Sequence, residues 1–349
     1  MAGGRGTRFW PRSREKKPKH LLDIVSKRTI IQETVDRIKS LIEPANILVV
    51  TGKKHARELI KQLPEIPAQN IIIEPVGKNT AACIGLAALH IQKKVPDAVM
   101  VVLPSDHAIG DYRKYLEVIS AAAKVAEQEG GLVTIGIKPS GPQTGFGYIE
   151  QGQSLRNVSG KKVFRVKSIR EKPDLQKARK FVQSGKFYWN SGMFIWKAST
   201  LLENFQRFQP EMAIQLRQIA DAGGVRSRAF RRLYPRLQKI SIDYALMEKV
   251  SNIYAVPADI GWNDVGSWAV VYELSPQDPE KNVRPRASLS LDSHGNMVFS
   301  PKKLVVTVGV QDLIVVETDD ALLVCARDRS QDVGRAVQEL DRLGRRDLL

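Results

Sequence analysis

The chain has 349 residues, 43% of them hydrophobic, and a formal net charge of +17. That apolar content supports one large α/β domain with a smaller unit beside it and excludes bulk disorder. No apolar run reaches bilayer-spanning length, and the N-terminus has no signal-peptide core. Cys83 and Cys325 lie far apart in apolar runs and read as buried free thiols of a reducing, cytoplasmic compartment. The positive charge does not point to specific nucleic-acid binding. Lys and Arg are scattered, with clusters over 12–19, 161–180 and 226–236, and no stripe interleaves them with aromatics. Anionic small substrates account for part of the excess.

In chain order the first feature is a loop, Gly3-Gly4-Arg5-Gly6-Thr7-Arg8-Phe9-Trp10-Pro11, followed by Lys17-Pro18-Lys19. Glycines let main-chain N–H groups approach an anion closely, and Arg and Lys add charge-assisted contacts, so the run reads as a phosphate cradle. It fits neither common phosphate motif: the Gly-x4-Gly-Lys-[Ser/Thr] pattern is absent, and Phe9 stands where the dinucleotide fingerprint needs its third glycine. Such a loop normally hangs from a central strand, yet only Met1 and Ala2 precede Gly3. The expectation is therefore a fold whose first strand is missing, with Met1 an internal residue of the natural product; the alternative is a complete chain whose fold compensates.

Periodicity then predicts a strand over 47–51, a helix over 55–63, a strand over 71–74, a helix over 80–94, a strand over 98–103, a helix over 112–128 and a strand over 132–137. Fully apolar strands separated by helices imply an α/β, Rossmann-like domain with a mixed, mostly parallel sheet covered on both faces. Ligands of such sheets bind beyond the carboxyl ends of the strands, where Pro104-Ser105-Asp106-His107 falls. Strands follow over 145–150, 163–171 and 189–196, with a polar helix over 174–184 between the last two. A helical region over 198–238 is broken at Gly223-Gly224, and a strand over 253–256 leads into 259–268. The first domain is expected over 1–275 and a Pro- and charge-rich linker over 276–286. A small β-helix-like unit with a terminal helix is expected over 287–349.

Two carboxylates stand out. Asp106 ends a strand, and Asp264 lies in Gly261-Trp262-Asn263-Asp264-Val265-Gly266-Ser267-Trp268. Together they could share a hard cation, since Mg²⁺ takes one or two protein carboxylates and fills its octahedron with substrate phosphate; equally, Asp106 could cap a helix and Asp264 form a turn. With five His and no Cys/His cluster, zinc is not expected, and no nucleophile signature appears, which points to direct displacement. Glu171-Lys172-Pro173 and Asn190-Ser191-Gly192 offer oriented donors and acceptors for a hydroxyl-rich ligand, or plain turn chemistry. Trp189, Trp196, Trp262 and Trp268 read first as core.

These motifs, with Lys17-Pro18-Lys19-His20-Leu21-Leu22, Glu74-Pro75-x-Gly77-Lys78-Asn79-Thr80-Ala81 and Gly145-Phe146-Gly147-Tyr148-Ile149, occur in the order seen in sugar nucleotidyltransferases. Over about residues 1–340 the chain most resembles the bacterial mannose-1-phosphate guanylyltransferases, or GDP-mannose pyrophosphorylases, in their short monofunctional form. The resemblance implies Mg²⁺-assisted reaction of GTP with mannose 1-phosphate to give GDP-mannose and pyrophosphate, by in-line attack on the α-phosphorus. It implies nucleotide contacts from Gly3, Gly4, Arg5, Gly6, Thr7, Arg8, Asn79, Thr80 and Ser105. Arg8, Lys19, Asp106 and Asp264 would be catalytic, with Asp106 and Asp264 on the metal. Gly147, Glu171, Lys172 and Asn190 would hold the sugar phosphate. The C-terminal segment resembles the left-handed β-helix of the short form, so isomerase activity is not expected, and its strands are compatible with a homodimer contact. The alternatives are another sugar 1-phosphate or nucleoside triphosphate, or a catalytically inactive regulatory homologue.

Overall fold

The computed structural model describes residues 1–4 and 6–349; Arg5 lies outside the described residues. The first half of the chain alternates strands and helices much as the periodicity predicts. In order come α1 (Ile30–Ile38), β1 (Val49–Gly52), α2 (Ala56–Gln62), β2 (Ile71–Glu74), α3 (Asn79–Gln92), β3 (Val99–Val102), α4 (Tyr112–Glu129) and β4 (Leu132–Ile137). Then follow β5 (Gly147–Ser154), β6 (Phe164–Arg170), α5 (Leu175–Ser184), β7 (Phe187–Lys197), α6 (Ala198–Phe208), α7 (Pro210–Asp221), α8 (Arg228–Leu233), β8 (Ile253–Ala258) and α9 (Trp268–Leu274). Local chemistry sets the helix ends. The Asp111 carboxylate accepts from Lys114 N at 3.0 Å to start α4, and Asp174 accepts from Lys177 N at 2.8 Å to start α5. Both helices stop at glycines in the left-handed region, Gly130 and Gly185.

Six strands form a mixed sheet in the order β3-β7-β4-β8-β6-β5, with β5 also pairing with β7, while β1 and β2 form a separate parallel pair. The parallel share is smaller than the apolar strand pattern suggests. Within the large sheet β4–β8 is parallel, and β3–β7, β4–β7, β5–β6, β5–β7 and β6–β8 are antiparallel. A strand covered on both faces is apolar throughout whichever way its neighbour runs, so composition could not reveal that β7 returns between β3 and β4. One face of the sheet packs on α3, α6 and α7 around Leu86, Trp196, Phe205 and Leu216; the other packs on α1, α2 and α4 around Val35, Leu59, Tyr115 and Ile135.

Between β1 and β3 lie the first two residues. The Met1 ammonium donates to Leu103 O at 2.9 Å, Ser105 N donates to Met1 O at 3.1 Å, and Ala2 N donates to Val50 O at 2.9 Å. Beside them the two strands are separated by a largely apolar cleft of about 420 Å³, walled by Val49, Val101 and Leu103 among others.

The C-terminal unit comprises β9 (Leu289–Leu291), β10 (Met297–Phe299), β11 (Val306–Val308), β12 (Leu313–Glu317), β13 (Leu322–Ala326) and α10 (Val333–Arg342). Parallel pairs β9–β11 and β10–β12 stack successive short strands as coils of a β-helix do. A third core joins this unit to the start of the chain: Phe9, Trp10, Trp268, Met297, Ile314 and Val333 are buried together. Cys83 is a buried free thiol whose pKa burial pushes up to about 12, whereas Cys325 is only half-buried. Among the described residues no helix is long and apolar enough to cross a membrane.

Candidate active site

The end of β3, the start of β5, the end of β6 and the first half of β7 converge on a cleft of about 520 Å³. Gly3 and Gly4 line one wall, Asn79 and Thr80 a second, and Gly147, Glu171, Lys172 and Asn190 a third; Asp106 and Asp264 lie among them.

The glycine loop is held from behind. Gly6 has φ +61°, and a Cβ there would stand 2.5 Å from Lys19 Cβ, so only glycine permits both the left-handed turn and the close passage over Lys19. After it, Thr7–Phe9 makes one 3₁₀ turn that drives Phe9 into the third core, edge-on to Trp268 at 5.3 Å. Trp268 Nε1 donates to Trp10 O at 3.1 Å, and Ser13 Oγ donates to Gly6 O at 2.7 Å. The basic run behind the loop divides. Arg12 pairs with Asp23 at 2.5 Å and Arg14 with Asp320 at 2.6 Å, both away from the cleft. Lys19 alone of that run turns inward.

Lys19 is 7% exposed. Its ammonium donates to Asp106 Oδ2 at 3.0 Å and to the Asp264 carbonyl at 2.6 Å. Burial pushes the Asp106 carboxyl up, but Lys19 and His107 outweigh it and hold the pKa at about 2. Asp264 is raised instead, first by burial, with the Asp106 charge adding to the Lys19-opposed balance. Its turn is strained: Val265, a buried β-branched residue, has φ +48°, held there as its N–H donates to Asn263 Oδ1 at 2.7 Å and its side chain sits in the third core. Arg8 Nη1 reaches Gly266 O at 3.3 Å on the exposed rim of the same turn. Two carboxylates around one lysine, with no third acid or histidine converging among the described residues, fit a hard divalent ion that completes its shell with ligand phosphate and do not fit a closed zinc site.

On the second wall Asn79 has φ +67°, and its Oδ1 accepts from Thr80 N at 2.8 Å. The Thr80 hydroxyl accepts from Ile242 N at 2.8 Å. Glu74, below them, accepts from Tyr234 OH at 2.5 Å. Ser105 is buried, but its side chain belongs to the wall of the cleft between β1 and β3, where its hydroxyl finds no partner among the described residues.

The third wall is the tightest. A Cβ on Gly147 would overlap Glu171 Oε2 and stand 3.2 Å from Asn190 Cβ, so glycine is what lets both side chains lie flat against β5. Lys172, itself at φ +47°, reaches back to Glu171 Oε1 at 3.7 Å. Asn190 Nδ2 donates to Asp243 Oδ1 at 2.8 Å, and Glu171 N donates to Glu248 Oε1 at 3.0 Å. Asp243 and Glu248 belong to a π-helical turn, Asp243–Met247 with Glu248 as its cap, in a stretch for which periodicity predicts no element. The legible signal was an acid inside the apolar run Ile242-Asp243-Tyr244-Ala245-Leu246-Met247. Trp196 and Trp268 are core, as read; Trp262 is half-buried at the cleft, donating to His107 Nδ1 at 3.1 Å and packing edge-on against Phe146 at 5.4 Å.

Glu171 titrates high, at about 7, because burial and then the Asp243 charge oppose its ionisation more than Lys172 favours it. A folded-state value above the unfolded one means that the folded chain retains a proton the unfolded chain releases, so this group's contribution is most favourable below about 4.3 and is lost as pH rises through 7. Glu171→Gln is therefore expected to raise the melting temperature relative to the unmodified protein by an amount that grows from pH 4.5 to pH 7 and then levels. A difference independent of pH would contradict the raised value.

Residues 1–281 match the nucleotidyl transferase family, and residues 287–340 match the mannose-phosphate isomerase/GMP-like β-helix domain. The chain belongs to the nucleotidyltransferase family, in its mannose-1-phosphate guanylyltransferase branch. The xanthan biosynthesis protein XanB of Xanthomonas campestris pv. campestris strain B100 is 41% identical over 352 residues, covering 99% of this chain and 73% of that protein. A mannose-1-phosphate guanylyltransferase of Klebsiella pneumoniae is 39% identical over 346 residues, covering 97% of this chain and 73% of that protein. Among solved structures, one from Thermus thermophilus, described as a mannose-1-phosphate geranyltransferase, superposes with a TM-score of 0.88 at 31% identity over 98% of both chains. This nucleotidyltransferase therefore shares both its domain pair and its overall architecture with that group.

Proposed function

We propose that this nucleotidyltransferase moves a guanylyl group from GTP to mannose 1-phosphate in the cytoplasm, giving GDP-mannose and pyrophosphate. The observation that carries the reading is Lys19, buried between the Asp106 carboxylate and the Asp264 carbonyl beside a cleft lined by Gly3, Gly4, Asp106 and Asp264 and by Gly147, Glu171, Lys172 and Asn190. The nearly full-length similarity to named guanylyltransferases supports the choice of base and sugar.

In this reading a phosphate oxygen of mannose 1-phosphate forms the new bond to the α-phosphorus as the bond to the β-phosphate breaks, and pyrophosphate leaves with that electron pair. No proton need move, so positioning and charge neutralisation do the catalysis. Gly3 and Gly4 offer main-chain N–H groups to the triphosphate, with Gly6 and Thr7 setting the loop's shape. Arg5 belongs to the same proposed cradle, and Arg8, on the rim, meets the leaving pyrophosphate. Lys19 sets positive charge where the two phosphates meet. Asn79 and Thr80 stand at the base and ribose. Glu171 and Asn190 take sugar hydroxyls, and Lys172 the sugar's phosphate. Asp106 and Asp264 would hold the family's divalent ion, Mg²⁺ in this proposal, which when bound neutralises phosphate charge and orients the α-phosphate.

The test is pyrophosphate release from the protein with mannose 1-phosphate, Mg²⁺ and each of four nucleoside triphosphates. GTP-dependent release that stops with a chelator is expected. Preference for UTP or dTTP would overturn the guanylyl assignment, and no release with any nucleotide would overturn the enzyme reading.

A further inference from the structure

Behind the third wall of the cleft lies a segment, residues 243–248, for which periodicity predicts no element. We propose that the π-helical turn Asp243–Met247, with Glu248, is a positioning element for the sugar-phosphate side: Asp243 fixes the Asn190 amide, and Glu248 fixes the Glu171–Lys172 turn. The inference rests on the acceptor reading given above and deepens it.

The hydrogen-bond inventory carries the argument. Asn190 is 8% exposed, with one acceptor oxygen and two donor hydrogens to satisfy. Its oxygen accepts from Thr134 Oγ1 at 3.3 Å and Gly192 N at 3.2 Å, and one N–H goes to Asp243 at 2.8 Å. Among the described residues nothing takes the second N–H, which is left for a ligand in the cleft. Asp243 and Gly192 N set this orientation together: the carboxylate accepts from the amide nitrogen and the backbone N–H donates to the amide oxygen. Five residues on, Glu248 N donates to Asp243 O at 3.0 Å and closes the π turn, while the Glu248 carboxylate accepts from Glu171 N. That contact sits where the chain needs help, beside Lys172 at φ +47°. The segment is tied to the opposite wall as well: Ile242 N donates to the Thr80 hydroxyl, and Ala81 N donates to Ile240 O at 3.2 Å.

The arrangement is electrostatically unfavourable on its own. Asp243 and Glu248 both oppose ionisation of Glu171 in a partly desolvated wall, with Lys172 the facing cation. Neutral side chains would fold this turn at lower cost, whereas three acids around one amide and one lysine suit a ligand that brings hydroxyl donors. Single-turn π segments are frequent at functional sites for the same geometric reason: the extra residue re-aims side chains that a regular helix would turn away.

Steady-state kinetics with each substrate varied in turn tests the proposal. Asp243→Ala is expected to raise KM for mannose 1-phosphate about tenfold or more while KM for GTP stays within about twofold. Asp243→Asn retains an acceptor oxygen and is expected to recover most of that loss. Glu248→Ala, at an exposed position that leaves the core untouched, is expected to raise the same KM several-fold and serves if Asp243→Ala does not fold. Unchanged KM for mannose 1-phosphate in a folded variant, or equal changes for both substrates, would overturn the positioning role. An unmodified protein that binds GTP yet neither binds nor turns over mannose 1-phosphate would overturn the acceptor reading and the inference with it, so the two failures are distinguishable.

Discussion

Replacing Lys19 with Met is expected to lower kcat by about 10³-fold, the upper range for removing one preorganised charge contact in a water-poor site. Met matches the length of the aliphatic stem and keeps the packing beneath Gly6, so the loss is assignable to the ammonium. That ammonium bonds the Asp106 carboxylate at 3.0 Å and the Asp264 carbonyl at 2.6 Å, and it is the cation that joins the two acidic segments. Without it the two carboxylates would repel across the cleft, and no fixed charge would stand where the proposed reaction brings two phosphates together. Lys19→Arg is expected to fail as a rescue, because a planar guanidinium holds its donors in a fixed fork that does not reproduce the two contacts one ammonium makes to Asp106 Oδ2 and the Asp264 carbonyl. Turnover measured with saturating GTP and mannose 1-phosphate checks both variants. A kcat within tenfold of the unmodified protein for Lys19→Met would remove Lys19 from the chemistry.

How far the site was legible depended on what kind of information each residue carries. The meeting of Lys19 with the Asp106 and Asp264 segments was foreshadowed by the ordered motifs of the resemblance, whereas the residues alone left Asp106 and Asp264 open between a shared cation and a cap or turn. The strands were clear, since apolar runs of four to six residues bounded by helices have few other readings. Strand direction was not legible, because an apolar run looks the same beside a parallel or an antiparallel neighbour. Nor was the fate of the basic cluster at 12–19. Composition groups Arg12, Arg14 and Lys19 together, yet two of them are drawn off by Asp23 and Asp320, the latter more than 300 residues away. Ser105, for which the resemblance implies a nucleotide contact, lines the cleft between β1 and β3. Asp243 and Glu248 escaped because a π turn has no simple period, and their partners lie just past the end of β6 and on β7 instead of nearby in sequence.

Asp264→Asn is expected to leave a small but measurable residual turnover while keeping the fold intact. The substitution separates two roles that this residue combines. Its carbonyl accepts from Lys19, and asparagine keeps that contact; its carboxylate supplies charge to the proposed cation site, and asparagine does not. Volume is conserved beneath the strained Val265 turn, so Phe9 and Trp268 stay packed and the melting temperature should change little. The expected loss is about 10³-fold or more in kcat, comparable to that for Lys19, because an amide holds a divalent ion far less well than a carboxylate. A second reading comes from the metal dependence. If Asp264 is a metal ligand, the Mg²⁺ concentration giving half-maximal residual activity should rise at least about tenfold, as expected when a charged ligand is lost. If the carboxylate instead only balances Lys19, residual activity would fall with no change in that concentration, and Asp106 would be left as the carboxylate that binds the ion. Near-normal rates would remove the Asp264 side chain from both roles and leave its carbonyl as the contribution of this turn.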